Sequence, residues 1–104
     1  MLPKLLILKG KFAICRFNHN SSLPSWVNQG DFYSITKSKD EISVVCNQEN
    51  VKGVKRVEKN WKVLKIEGPL DFSLIGIISK ISTILAENNI SIFVISTFDT
   101  FIIV

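Results

Sequence analysis

The sequence predicts an α+β fold in which an antiparallel sheet carries a helix on one face, and three observations lead there. From Leu74 onward the apolar residues Leu74, Ile77, Ile78, Ile81, Ile84 and Leu85 step by three and four, the stripe of a helix that buries one side. Around that stripe lie short runs rich in β-branched residues, each closed by a polar or glycine-proline break. The order strand, helical element, strand, strand then occurs twice, at a spacing of about fifty residues, which suggests a duplicated unit.

Each element follows from its residues. Leu5 to Leu8 and Lys11 to Phe17 are apolar runs of strand length, and Asn18 to Pro24 is polar loop with one helical turn expected near Ser25 to Asn28. Strands are expected at Phe32 to Lys37 and Glu41 to Cys46, joined through Ser38-Lys39-Asp40 as a hairpin. Asn47 to Asn60 is polar and basic and reads as a connector, with one helical turn around Glu49 to Gly53. Trp61 to Glu67 is a strand that stops at Gly68-Pro69. For the helix that follows, Asp71 or Ser73 can cap the first turn, and Asn88-Asn89 supplies a residue that tolerates the left-handed conformation at its end. Ile90 to Thr97 and Phe101 to Val104 are the last two strands, separated by Asp99-Thr100. Two halves result, residues 1–60 with a short helix and residues 61–104 with strand, helix and two strands.

Composition narrows the function. The 104 residues are 46% hydrophobic and 21% charged, enough for a core and inconsistent with disorder. No apolar run approaches the ~18 residues that span a bilayer, and the opening segment is too short for a signal peptide, so the expected location is cytoplasmic and no membrane partner is expected. Cys15 and Cys46 lie in alternating apolar runs and read as buried, reduced thiols. With His19 the only histidine, in a loop of polar residues, and no Cys-x-x-Cys, neither a metal nor another cofactor is expected. No nucleophile elbow or paired-ligand motif is present, and the chain is read as non-enzymatic. Trp26 and Trp61 are expected to serve the core.

The segment Trp61 to Ile81, with its Gly68-Pro-Leu-Asp-Phe-Ser-Leu-Ile-Gly76 turn, and the segment Ile90 to Thr100 resemble the small ACT-domain proteins related to aspartokinase regulatory domains and CASTOR-type arginine sensors. Gly10 to Phe17 and Leu23-Pro-Ser-Trp26 resemble the less regular N-terminal half of that family. The resemblance implies ferredoxin-like ACT units whose helices cover one sheet face, and a small free amino acid bound at an interface between units. It places the ligand edge at Leu70, Asp71, Phe72, Ser73 and Gly76, with backbone groups of Ile92 and Phe93, and at the turn Thr97, Phe98 and Asp99. A helix N-terminus independently suits an α-carboxylate, and Asp71 an α-ammonium. Relatives carry a further aspartate after Thr100, which is absent here, and a further helix and strand after the position of Val104. The C-terminal unit is therefore expected to lack its last helix and strand, as a chain cut after its third strand, unless the halves share a sheet or a second chain supplies them.

Two further expectations concern partners. Phe101 to Val104 is expected at a sheet edge, where it needs a cover, and a homodimer through it or through Ile90 to Thr97 is expected. The basic run from Lys52 to Lys65 and the string Lys9 to Phe17 brush against an RNA-binding pattern. Lys11 stands at the first aromatic position, however, and Ala13 and Ile14 break the alternation, so no specific nucleic acid is expected. The competing role for the chain is an oligomerisation or partner-docking module with the same fold and no ligand.

Overall fold

A computed structural model of the chain describes residues 5–66, 74–97 and 101–104. The chain divides into two compact units, Lys9–Lys62 and Met1–Leu8 with Val63–Val104. Each is built on a four-stranded antiparallel sheet.

The strands in chain order are β1 (Leu5–Ile7), β2 (Phe12–Phe17), β3 (Ser34–Lys37), β4 (Ile42–Asn47), β5 (Val57–Trp61), β6 (Leu64–Ile66), β7 (Val94–Ser96) and β8 (Phe101–Ile103). One α-helix, α1, spans Leu74–Glu87. In the unit of residues 9–62 the sheet order is β3-β4-β2-β5, and 3-10 turns at Ser25–Asn28 and Gln48–Asn50 stand where a ferredoxin-like βαββαβ unit has its helices. The other sheet has the order β1-β6-β8-β7. With β1 taken as the fourth strand of its unit, both sheets follow one ferredoxin-like order, with the fourth strand beside the first, the third next and the second at the far edge.

The alternation of β2 and β4 explains the core of the first unit. Register pairs Ala13 with Cys46, Cys15 with Val44 and Phe17 with Ile42, so these residues share one face. Ala13, Cys15, Val44 and Cys46 have no solvent exposure at all, and Val27, Trp26, Leu23, Val51 and Val54 from the short turns pack over that face. The 3-10 turns thus supply the apolar cover that full helices would. Trp26 stands 6.4 Å from Phe17 between ring centroids, in the core role expected for it, and Trp61 is half-buried. The β3–β4 hairpin closes as predicted: the Ser38 N–H donates to the Glu41 carbonyl at 2.9 Å, and Ser38 Oγ accepts from the Asp40 and Glu41 amides.

In the second unit Ile77, Ile78, Ile81 and Leu85 of α1 pack against Ile66, Ile103 and Leu64. Ile84, counted in the stripe from its spacing, is 53% exposed, because the covered face is narrower than the six-residue stripe. The helix ends in a Schellman motif: Ile90 donates to the Leu85 carbonyl at 2.9 Å, Asn89 donates to Ala86 at 3.0 Å, and Asn89 takes φ 59°. Asn88 Nδ2 satisfies the Ile84 carbonyl as well. The capping residues proposed at its start, Asp71 and Ser73, lie outside the described residues.

Three expectations are corrected. The expected strand from Trp61 to Glu67 is two strands, β5 and β6, divided at Lys62–Val63 and belonging to different sheets. The polar connector from Asn47 to Asn60 therefore contains most of β5, whose pairing with β2 outweighs its weak strand composition. Phe101 to Val104 is not at an edge: β8 lies between β6 and β7, and Ile102, Ile103 and Val104 are buried. On the far side of β6 stands β1, whose Leu5, Leu6 and Ile7 pair with Ile66, Lys65 and Leu64.

β5 holds a bulge. Phe12 pairs with Trp61 and Ile14 with Glu58, which leaves one extra residue on β5, and Asn60 absorbs it at φ 70°. Gln48 clamps it, its Oε1 accepting from the Asn60 amide at 2.6 Å. A β-branched residue there is expected to cost about 1–2 kcal/mol, the usual penalty for left-handed backbone. Chemical denaturation should show Asn60→Val destabilised by that amount and Asn60→Gly close to the parent.

Candidate functional site

The pairing of β8 fixes the geometry of the predicted site. Leu64 and Val94 both pair with Ile103, and Lys65 and Ile95 both pair with Ile102, so β6 and β7 run parallel on either side of β8. A helix that carries the chain from the exit of β6 to the entry of β7 must run antiparallel to both. Its first turn lies at the end of the sheet where β7 leaves at Ser96–Thr97, and its last turn lies where β7 enters at Ile92–Phe93. Fourteen residues of helix span about 21 Å, so the two ends are well separated.

This divides the ligand edge expected from the sequence. Gly76, exposed in the first turn of α1, and Thr97, exposed just past β7, belong to one end of the sheet. Ile92 and Phe93 belong to the other. Ile92 packs against the Ile66–Ile77–Ile103 cluster. The backbone of Phe93 is engaged on both sides with Val104, its N–H donating at 3.1 Å and its carbonyl accepting at 2.8 Å. A ligand that took those groups would compete with the pair that extends β7–β8. The signal missed in the sequence is Val104, whose place beside Phe93 follows from a long-range register that local patterning does not contain. Leu70, Asp71, Phe72, Ser73, Phe98 and Asp99 lie outside the described residues.

α1 carries no acidic residue in its first turn, so no side chain of the helix neutralises the positive end of its dipole. Gly76 adds no side chain in that turn. The sequence adjoining this end from both sides is the pair of segments 67–73 and 98–100, which hold Asp71, Ser73 and Asp99.

Nucleophilic chemistry finds little to work with. Cys15 and Cys46 are free and fully buried, diagonal neighbours on one sheet face. Burial raises the Cys15 thiol, partly offset by the hydrogen bond it accepts from Cys46. Burial, the neighbouring Cys15 and that donated hydrogen bond push Cys46 up to about 12. His19 is exposed in its loop. Among the described residues no three His, Cys, Asp or Glu side chains stand together as a metal site, and no described helix is long and apolar enough to cross a membrane.

An antiparallel four-stranded sheet of this order with a helix across one face is a ferredoxin-like arrangement, and the comparisons agree. The profile of the ACT domain matches residues 56–104, and a profile described as an N-terminal domain matches residues 10–54. The crystal structure of protein Atu0741 from Agobacterium tumefaciens, a structural-genomics target, superposes with a TM-score of 0.89 at 38% identity, covering 99% of this chain and 77% of that one. No protein of curated function matches significantly. The chain belongs to the ACT-domain proteins, as its Trp61 to Thr100 segment indicated.

Native protein at pH 8 is expected to react with a thiol reagent at least a hundredfold more slowly than denatured protein, because both thiols are buried and protonated. The raised pKa also sets a sign. An unfolded thiol ionises near 9 and the folded Cys46 only near 12, so the stability this group contributes is whole below pH 9 and is lost as pH rises towards 12. Alkaline unfolding followed by circular dichroism should show that loss, and Cys46→Ala should reduce it.

Proposed function

We propose that the chain is a non-enzymatic regulatory domain that binds a small free amino acid at the end of the sheet shared by the first turn of α1 and the exit of β7. The observation that supports it is the convergence of Gly76 and Thr97 at that end in a chain of the ACT-domain proteins. Helix N–H groups would hold the α-carboxylate, and Asp71 or Asp99 the α-ammonium. The effector binds between ACT units of an assembly, and its preference for one arrangement of those units shifts their equilibrium. The two free, buried thiols favour a reducing, cytoplasmic setting.

A second reading, an assembly module, draws on β7. From Asn88 to Thr97 the sequence holds no charge, β7 is one of the two outer strands of its sheet, and Ile90, Phe93 and Val94 are 50%, 46% and 40% exposed. The outer strands of the other sheet are blunted, β3 by Lys37 and β5 by Glu58, Lys59 and the Asn60 bulge. A homodimer would place two β7 edges together around a two-fold axis.

Thermal-shift screening against the free amino acids, followed by calorimetry, tests the first reading. At about a hundred times its dissociation constant a true effector adds about 2.7 kcal/mol. Gly76→Val should weaken that effector at least tenfold. Absence of any binding amino acid rejects the ligand, and unchanged binding by the variant rejects the site. Sedimentation at micromolar concentration tests the second: a dimer that Val94→Lys converts to monomer supports it, and a parent monomer near 11.7 kDa, unmoved by amino acids, rejects it.

A further inference from the structure

We propose that the β5 margin of the 9–62 unit binds the phosphate backbone of nucleic acid without reading its sequence. The charge of this protein is unevenly placed. Residues 9–62 hold ten Lys and Arg against five Asp and Glu, a formal +5, whereas the rest of the chain holds three against four, a formal −1. Within the basic unit the excess gathers at one margin. Lys52, Lys55, Arg56, Lys59 and Lys62 lie in and around the outer strand β5, and Lys9 and Lys11 join them from the start of β2.

Register shows how close they come. Phe12 pairs with Trp61, so the next residues outward, Lys11 and Lys62, face one another, and Lys62 Nζ reaches the Gly10 carbonyl at 3.4 Å. Like charges set opposite across a strand pair destabilise it unless an anion lies between them. The seven cations are all exposed and stand outside the ion pair that the described residues form, Arg16 with Glu41, although Arg16 lies beside Arg56, whose carbonyl accepts from its amide at 2.9 Å. Glu49 and Glu58 are the carboxylates set among them. Gly10, at φ 81°, has nothing within 4 Å of where a Cβ would stand, which leaves the Lys9-Gly10-Lys11 backbone open to close approach.

Two features favour nucleic acid over an acidic protein. Strand addition by a peptide is opposed by Lys59 and by the bulge that Gln48 clamps at Asn60. Among the described residues, none of the exposed large hydrophobic side chains falls between Gln48 and Lys62, so a protein partner would find no apolar anchor there. Nothing at this margin reads bases, in keeping with the broken aromatic pattern of Lys9 to Phe17.

Fluorescence anisotropy with 20-nucleotide oligo(dT) and oligo(dA) tests the assignment. With about five phosphate contacts, affinity should fall roughly a hundredfold between 50 and 200 mM salt. The variant Lys55→Ala/Lys59→Ala/Lys62→Ala should bind at least tenfold more weakly at 50 mM salt and lower the salt slope by about 2. Lys37→Ala/Lys39→Ala/Lys80→Ala, which removes the same charge elsewhere, should stay within about twofold of the parent. Equal loss in the two variants would show that net charge alone is responsible and overturn the site. Absence of binding at 50 mM salt would overturn the proposal. So would competition by polyglutamate as effective as by the oligonucleotides, or a preference above tenfold between the two sequences.

Discussion

The placement of β8 between β6 and β7 is the constraint on which the rest of the C-terminal unit depends. Backbone pairing on both of its sides makes β6 and β7 parallel, and parallel neighbours separated by one strand require a connection that runs back along the sheet. That return is α1. Its direction then decides that Gly76 shares an end with Thr97 and that Phe93 does not. Because β8 is paired on both sides, its Ile102 and Ile103 bury fully, and α1 has a floor of Ile66 and Ile103 to pack on. Without this pairing neither the helix nor the candidate site has a defined position.

The same sheet order, reached by different means, appears twice. One unit covers its sheet with a fourteen-residue helix, and the other with a single turn that brings Trp26 and Val27 and with the segment after a second turn that brings Val51 and Val54 to the same kind of apolar face. The second solution works because β2 and β4 bring small, fully buried residues, Ala13, Cys15 and Cys46, which leave space for bulky side chains from short turns. The units also differ in how their fourth strand arrives. In one it follows in sequence as β5, and in the other it is β1, drawn from the opposite end of the chain by pairing with β6.

Edges and charge divide the labour between the units. The sheet of residues 9–62 is guarded at both outer strands by lysines, and at β5 also by a bulge, which discourages strand pairing while concentrating positive charge. The β7 edge carries neither charge nor bulge. The two edges thus differ in chemistry, one apolar and one rich in lysine.

By itself the sequence determined what local physics controls. The periodicity of Leu74 to Leu85 located α1, Asn88-Asn89 located its end, Ser25 to Asn28 and Ser38 to Asp40 marked their turns, and alternation identified β2 and β4 with their buried thiols. The resemblance of Trp61 to Thr100 to ACT domains was legible in the same way. Tertiary structure alone decided which strands are neighbours. Nothing local to Leu5 to Ile7 says that it joins the far unit, nothing in Phe101 to Val104 distinguishes a central strand from an edge, and the division at Lys62–Val63 falls inside a run that reads as one strand. Register between distant strands is set by the summed pairing and burial of the whole sheet, a quantity no single segment carries. For that reason the helix N-terminus proposed for the ligand could be read from the chain, whereas its separation from Ile92 and Phe93 could not.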